Sequence, residues 1–286
     1  MEPIPPIEPA ETYLPTGPLG LRLDLCARAL RHARSTNSFY ETTDGSIPSI
    51  VFGLDNAGRH GNFHPASFAR IQSNPLWARR LDKVHTASKR QRLRSNWRWR
   101  ELDCANSSDA LLMNIFCYPN LLSSSPTRLL LGADPDWTPT FGSKPRVPLH
   151  HNKRDATEID MELGDLLIEA KLTESNFQQC APRLVHRYRD LDQVFDPADL
   201  PLTDGKHTSY QLIRGTLAAH ATGKSFCVLL DARRPDLTEA WFRIMRAVRF
   251  ADLRSRLKLL TWQELAATLP PELQIFLEAK YGIRAS

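Results

Sequence analysis

Residues 157–172, TEIDMELGDLLIEAKL, constrain this chain more than any other stretch. Gly164-Asp165 separates two runs of alternating polarity, and glycine at the first central position suits a two-residue type II′ turn. Such a turn fixes the register: Leu163 faces Leu166, Glu162 faces Leu167, Asp160 faces Glu169 and Glu158 faces Lys171. Side chains alternate along a strand, and paired residues share a face. One face therefore carries Ile159, Met161, Leu163, Leu166, Ile168 and Ala170, and has to be buried. The other carries Glu158, Asp160, Glu162, Glu169 and Lys171, together with Leu167.

That second face places the Cβ atoms of Asp160 and Glu169 ~5 Å apart. Opposed carboxylates destabilise a sheet unless something lies between them. A divalent cation would remove that cost, and Mg²⁺ commonly takes one or two carboxylates and completes its shell with water. The plainer account is a solvated face with a Glu158–Lys171 ion pair worth ~0.2–1 kcal/mol. A face of that kind would more naturally alternate its signs across the pair, and this one does not.

Around the hairpin the chain reads as an α/β alternation. Residues 1–18 are rich in Pro and Glu and are expected to lack fixed structure. Residues 19–104 form a mostly helical, basic region, and residues 105–286 a core. Leu19–Ser35 has helical periodicity, Phe39–His64 is loop-like, and Phe68–Arg100 is helical in pieces. Ser107 or Ser108 caps a helix running to Tyr118 before Pro119 stops it. The stretch from Ser123 to Asp155 is irregular, with one strand expected near Arg146–His150. After the hairpin come a helix over Leu184–Phe195 and another over Ser209–Thr222, ended by Gly223. A strand follows at Ser225–Leu230, then a helix at Leu237–Val248 and a short strand at Leu257–Leu260. Thr261 and Glu264 form a capping box, and the last helix starts at Pro271 and runs to about Tyr281. This order implies a central mixed β-sheet flanked by helices.

Asp160, eight intervening residues, then Glu169-Ala170-Lys171 resembles the D…(D/E)XK signature of the PD-(D/E)XK nuclease superfamily. That superfamily includes restriction endonucleases, Holliday-junction resolvases and RecB-type nucleases. In detail the chain is similar to a bacterial group of restriction endonucleases. The likeness spans roughly residues 105–250, through SSDALLMNIF, the hairpin, YQLIR and FCVLLDARRPDL. One departure is that Ile159 stands where a proline would precede Asp160. The resemblance implies a restriction-endonuclease-like core with a helical N-terminal extension, and a metal-dependent nuclease that hydrolyses phosphodiester bonds, foremost in DNA. It further implies that Asp160, Glu169 and the Ala170 carbonyl hold Mg²⁺, with Mn²⁺ as a substitute. Lys171 then orients the attacking water or stabilises charge on the phosphate, since its anionic neighbours should keep it charged. Gln211, at the start of the following helix, is a candidate to orient water or phosphate, and Arg214 one turn on can share its face. The QxxxY box of RecB-type enzymes is absent, because position 215 is glycine.

Other residues carry weaker signals. Glu158 and Glu162 share the acidic face and offer a second-metal ligand or a solvated neighbour. Asp109, near Ser108 and Asn114 on the upstream helix, is where many relatives supply an acid, and it equally suits a first helical turn. His150 and His151 adjoin Lys153 and Arg154 without enough ligands for a metal, which leaves phosphate contact or plain loop. The run 78–103 interleaves Trp97 and Trp99 with Arg94, Arg98 and Arg100. There arginines can neutralise phosphates and tryptophans can stack on bases, or the tryptophans can simply pack.

Thirty-seven Lys and Arg against 32 Asp and Glu give a net charge of +5, compatible with a polyanionic partner. Five cysteines without a CxxC pair fit a reduced, cytoplasmic protein. No apolar run approaches the ~20 residues of a membrane span, and the first residues lack the pattern of a secretion signal. A homodimer stays open. The reading from another class is a nucleic-acid-binding or partner-binding protein that keeps the fold without catalysis. Paired carboxylates also occur in glycosidases, but the adjacent lysine and basic surroundings suit phosphate better.

Overall fold

The computed structural model describes residues 17–43, 48–84 and 99–285. Helix α1 (Gly17–Ser35), the hairpin of β1 (Tyr40–Thr42) and β2 (Ile50–Phe52), and helices α2 (Pro65–Ser73) and α3 (Pro75–Ala78) come first. Helices α4 (Ser108–Phe116) and α5 (Ser125–Leu131) and strand β3 (Pro139–Ser143) lead to the hairpin of β4 (Ile159–Leu163) and β5 (Leu166–Ala170). One-turn helices α6 (Pro182–Val185) and α7 (Leu191–Val194) follow, then the short pair β6 (Leu202–Thr203) and β7 (Lys206–His207). The chain closes with α8 (Tyr210–Thr222), β8 (Ser225–Leu230), α9 (Pro235–Ala247), α10 (Ala251–Ser255), β9 (Leu257–Thr261), α11 (Trp262–Ala266) and α12 (Pro271–Tyr281).

The central sheet is five-stranded and mixed, in the order β3-β4-β5-β8-β9. Its first three strands are antiparallel, and β5, β8 and β9 run parallel. Residue alternation sends side chains to two separate cores. On one face Leu166, Ile168 and Ala170 of β5 and Cys227 and Leu229 of β8 pack with Leu111, Leu112 and Ile115 of α4 and Leu273 and Leu277 of α12. On the other, Leu167, Phe226, Val228 and Leu230 meet Leu212, Ile213 and Leu217 of α8 and Trp241 and Ile244 of α9. Burial on both faces explains why β5 and β8 are apolar almost throughout. Helix α1 joins the first core through Leu21 and Leu25. Among the described residues no helix is long and apolar enough to cross a membrane.

Gly215 sets how close α8 lies to the sheet. A Cβ there would come 2.2 Å from the Phe226 ring, so any larger residue would push the helix off β8. The Gly223 cap at φ +73 and the Thr261–Glu264 capping box are both formed.

Several expectations are corrected. The edge strand is Pro139–Ser143, whereas the Arg146–His150 region makes only isolated bridges, Pro148 with Arg154 and Leu149 with Tyr188. The helix expected over Leu184–Phe195 is broken into α6 and α7, because the Arg187 carbonyl and the Arg189 amide bond His150 and Pro148 instead of helical neighbours. The loop-like stretch Phe39–His64 contains the β1–β2 hairpin. Ile159 is buried as expected, but in the second core beside Leu167 rather than with Met161. Residues 1–16 and the segment holding Arg94, Trp97 and Arg98 lie outside the described residues, and α1 begins at Gly17.

Candidate active site

The turn holds Gly164 at φ +55, while Asp165 stays outside the positive-φ region, which is the II′ pattern. A Cβ on Gly164 would come 2.1 Å from the Trp137 ring, so glycine is also needed sterically. The register follows: Leu163 pairs with Leu166, Glu162 with Leu167 and Met161 with Ile168. Past that point the strands no longer close the ladder. The Ala170 amide donates instead to Asp160 Oδ2 at 2.8 Å, and β5 carries on alongside β8, with the Lys171 amide donating to the Leu229 carbonyl at 2.8 Å.

The expected Glu158–Lys171 pair does not form. Glu158 precedes β4, accepts from Arg80 Nη1 at 2.9 Å and lies 3.9 Å from Lys144 Nζ. Lys171 turns inward and donates to Glu169 Oε1 at 2.7 Å. Glu169 and Lys171 are 1% and 4% exposed, so this end of the polar face is a buried, hydrogen-bonded cluster rather than a solvated surface.

Gln211 and Glu169 are brought together: Gln211 Nε2 donates to Glu169 Oε1 at 2.6 Å. Arg214 sits one turn further along α8. Its Nη2 donates to the Glu158 carbonyl at 3.0 Å and lies 3.9 Å from Glu169 Oε2. Arg214 is buried, so it ties the start of β4 to α8. Arg100 bonds elsewhere: its side chain pairs with Asp82, and its amide donates to the Asp103 carboxylate.

Charge in the cluster is unevenly balanced. Burial, followed by the Glu169 charge, pushes the Asp160 carboxyl up to about 8, with Asp109 adding to the rise and Lys171 and the Ala170 amide opposing it. Burial alone would lower the Lys171 pKa, but the charges of Glu169, Asp160 and Glu174 outweigh it, so the ammonium is held above its usual range.

Four supports were not legible in the motif. Arg80 enters from just past α3, donates to Asp109 Oδ2 at 3.2 Å as well as to Glu158, and is influenced by Asp160. Lys83 also bonds Asp109, which is buried in the first turn of α4. Glu174 accepts from the Leu172 amide at 2.7 Å and from Ser108 Oγ at 2.6 Å. Arg234, fully buried, donates to the Glu174 carbonyl at 2.8 Å and holds the turn that follows Lys171. Only Glu174, three residues past Lys171, had a local signal in the sequence. Asn114 proves structural, bonding the His64 amide and the Asn62 and Ala110 carbonyls.

Among the described residues no three His, Cys, Asp or Glu side chains converge as a metal site. Two carboxylates are nevertheless what Mg²⁺ usually takes from a protein when water and substrate phosphate complete its shell. The hard oxygen donors of Asp160 and Glu169, and the raised Asp160 pKa that a cation would relieve, fit such an ion.

A mixed sheet whose central hairpin presents an Asp, then Glu-X-Lys, at the open end of its ladder defines a restriction-endonuclease-like protein. The chain belongs to the family described as restriction endonuclease associating with ARP, whose model matches residues 32–282. Membership marks it as nuclease-like and ties it to nucleic acid. Neither the curated proteins nor the solved structures yield a match.

Proposed function

We propose that this chain is a Mg²⁺-dependent phosphodiesterase, foremost a DNA endonuclease, with Asp160, Glu169 and the Ala170 carbonyl as metal ligands and Mn²⁺ as a substitute. The observation that carries the reading is the Glu169–Lys171–Gln211 cluster set beside a half-buried Asp160 whose proton affinity is raised by burial and by Glu169. Mg²⁺ bound there would polarise a phosphoryl oxygen and lower the pKa of a coordinated water. The chain's own groups do the rest. Lys171 stays protonated, so it serves as a fixed positive charge for the phosphate and not as a base. Gln211 holds the Glu169 carboxylate in place and offers its amide to water or phosphate. Arg214 fixes the approach of α8 to β4. Arg80 restrains Asp109 and Glu158 at the margin of the site.

The test is nicking of plasmid DNA and cutting of linear DNA with Mg²⁺, Mn²⁺ or EDTA. Wild type should cut with either metal and not in EDTA. Lys171→Ala should lose cleavage while retaining metal by calorimetry, because an ammonium is not a ligand. Wild-type cleavage by a purified Asp160→Ala chain would defeat the assignment. The competing reading, a non-catalytic nucleic-acid-binding or partner-binding protein, draws on the near-complete burial of Glu169, whose Oε1 is already shared by two donors. Metal-dependent cutting by wild type would end it.

A further inference from the structure

We propose that the turn at residues 146–154 is a contact for the phosphate backbone of duplex DNA beside the hairpin site. Such a contact rests on the nuclease reading above and specifies how the substrate is gripped. A hollow of about 360 Å³ lies at this turn, and His150, His151, Lys153, Arg154 and Arg189 are among its walls.

The charge here is unspent. Arg80, at the hairpin site, bonds both Asp109 and Glu158. Arg146, Lys153 and Arg154 have no such partners: none has a carboxylate at ion-pair distance among the described residues, and Arg154 donates only to the Arg146 carbonyl at 3.4 Å. Arg189, by contrast, has a bidentate partner in Asp190, at 2.7 and 3.0 Å.

The turn is also held in a fixed shape. Arg146, His151 and Asn152 have φ of 54°, 59° and 56°, the left-handed region that residues with a Cβ adopt at a cost. Backbone bonds keep them there: the Leu149 amide to the Lys153 carbonyl at 2.9 Å, His150 to Arg187 at 3.0 Å, and Asp155 to Val147 at 2.8 Å. The base of the turn is tied to the site. Asp155 accepts from the Tyr188 hydroxyl, which lies 2.9 Å from the Tyr210 hydroxyl, and Tyr210 precedes Gln211. Asp160 follows Arg154 by six residues, at most about 20 Å of extended chain. Phosphates recur about every 3.4 Å along one strand, so the turn can reach those within about six nucleotides of the cut. No Phe, Tyr or Trp lines the hollow among the described residues, which suits charged backbone and not an unstacked base.

The test is binding of a fluorescein-labelled DNA duplex of arbitrary sequence, in EDTA, across a salt series. Full-length wild type is compared with Lys153→Gln/Arg154→Gln, with Lys153→Glu/Arg154→Glu, and with Arg243→Gln as a control on the exposed side of α9. Both side chains of the turn are exposed, so folding should be unchanged by circular dichroism. The double Gln variant should bind on the order of 10-fold more weakly per lost contact near 0.1 M salt, with a salt slope smaller by about one unit per contact. The double Glu variant should bind more weakly still, and the control should match wild type. An unchanged slope in the double variants overturns the proposal, as does an equal loss in the control, a loss seen with duplex RNA alone, or a wild type that binds no duplex DNA. Plasmid cleavage by wild type and its loss in Asp160→Asn judge the nuclease reading separately, since neither depends on the turn variants.

Discussion

Two buried charge clusters lie close to the sheet, and they are built differently. At the end of β8, Asp231 is fully buried and accepts from the Arg233 amide, Nε and Nη2 and from Gln263 Nε2, all between 2.7 and 3.0 Å. Arg233 also reaches Asp24 of α1 at 3.1 Å and the Tyr281 carbonyl at 2.9 Å. There each charge is answered, and the knot joins α1, β8, α11 and α12. At the open end of the hairpin, Asp160 receives a single backbone amide, and burial together with the nearby Glu169 charge opposes its ionisation. A matched knot resists disruption. A mismatched one holds free energy that, on the proposed reading, a bound cation would release.

Asp160→Asn should break the comparison most visibly. Cleavage should fall below detection and metal binding should weaken, while the melting temperature of the metal-free chain stays level or rises, because a neutral amide has no ionisation to resist in this buried place beside Glu169. A clear loss of stability would show that Asp160 is structural. Asp231→Asn is the reverse case. Removing one partner from the matched knot should cost about 3–5 kcal/mol by chemical denaturation, with residual cleavage tracking the folded fraction. A loss under about 1 kcal/mol would show that the knot contributes little.

Gln211→Ala should lower cleavage by about 10- to 100-fold, as loss of a group that orients a metal ligand does, and leave the melting temperature nearly unchanged. Unaltered cleavage would remove Gln211 from the site. The last effect is one of pH. The Asp160 carboxyl is raised from 3.8 to about 8 in the folded chain, so between those values the folded state holds a proton that the unfolded state has lost. Stability from this group is therefore full below about 4 and lost as pH rises through about 8. Melting in EDTA should show the stability of Asp160→Asn relative to wild type growing from pH 5 to pH 8. A constant difference would mean that Asp160 is already charged at pH 5.

The hairpin, its turn, α8, β8, the Thr261–Glu264 box and α12 were legible because their signals are local: alternation, a Gly in the turn, a cap, a Pro at the first helical turn. Glu169, Lys171 and Gln211 came together because their elements are adjacent in the sheet and the helix over it. What was hidden depended on distant partners. β3 contains Pro139 and Gly142 and reads as a loop, yet an edge strand tolerates both. The interruption between α6 and α7 comes from the 148–150 segment, which takes backbone bonds a helix would have used. An ideal hairpin puts Lys171 across from Glu158, but the β4–β5 ladder ends at Met161–Ile168, beyond which the Ala170 amide turns to the Asp160 carboxylate.

Arg80 meets Glu158 across 78 residues of sequence, and Gln211 meets Glu169 across 42. During synthesis the N-terminal part emerges first, so Arg80 can meet Asp109 long before Glu158 is made. Glu169 and Lys171 gain their fixed places only when β8 lies against β5 and α8 covers them. On the proposed reading, a growing chain therefore has no assembled cutting site until β8 has been made.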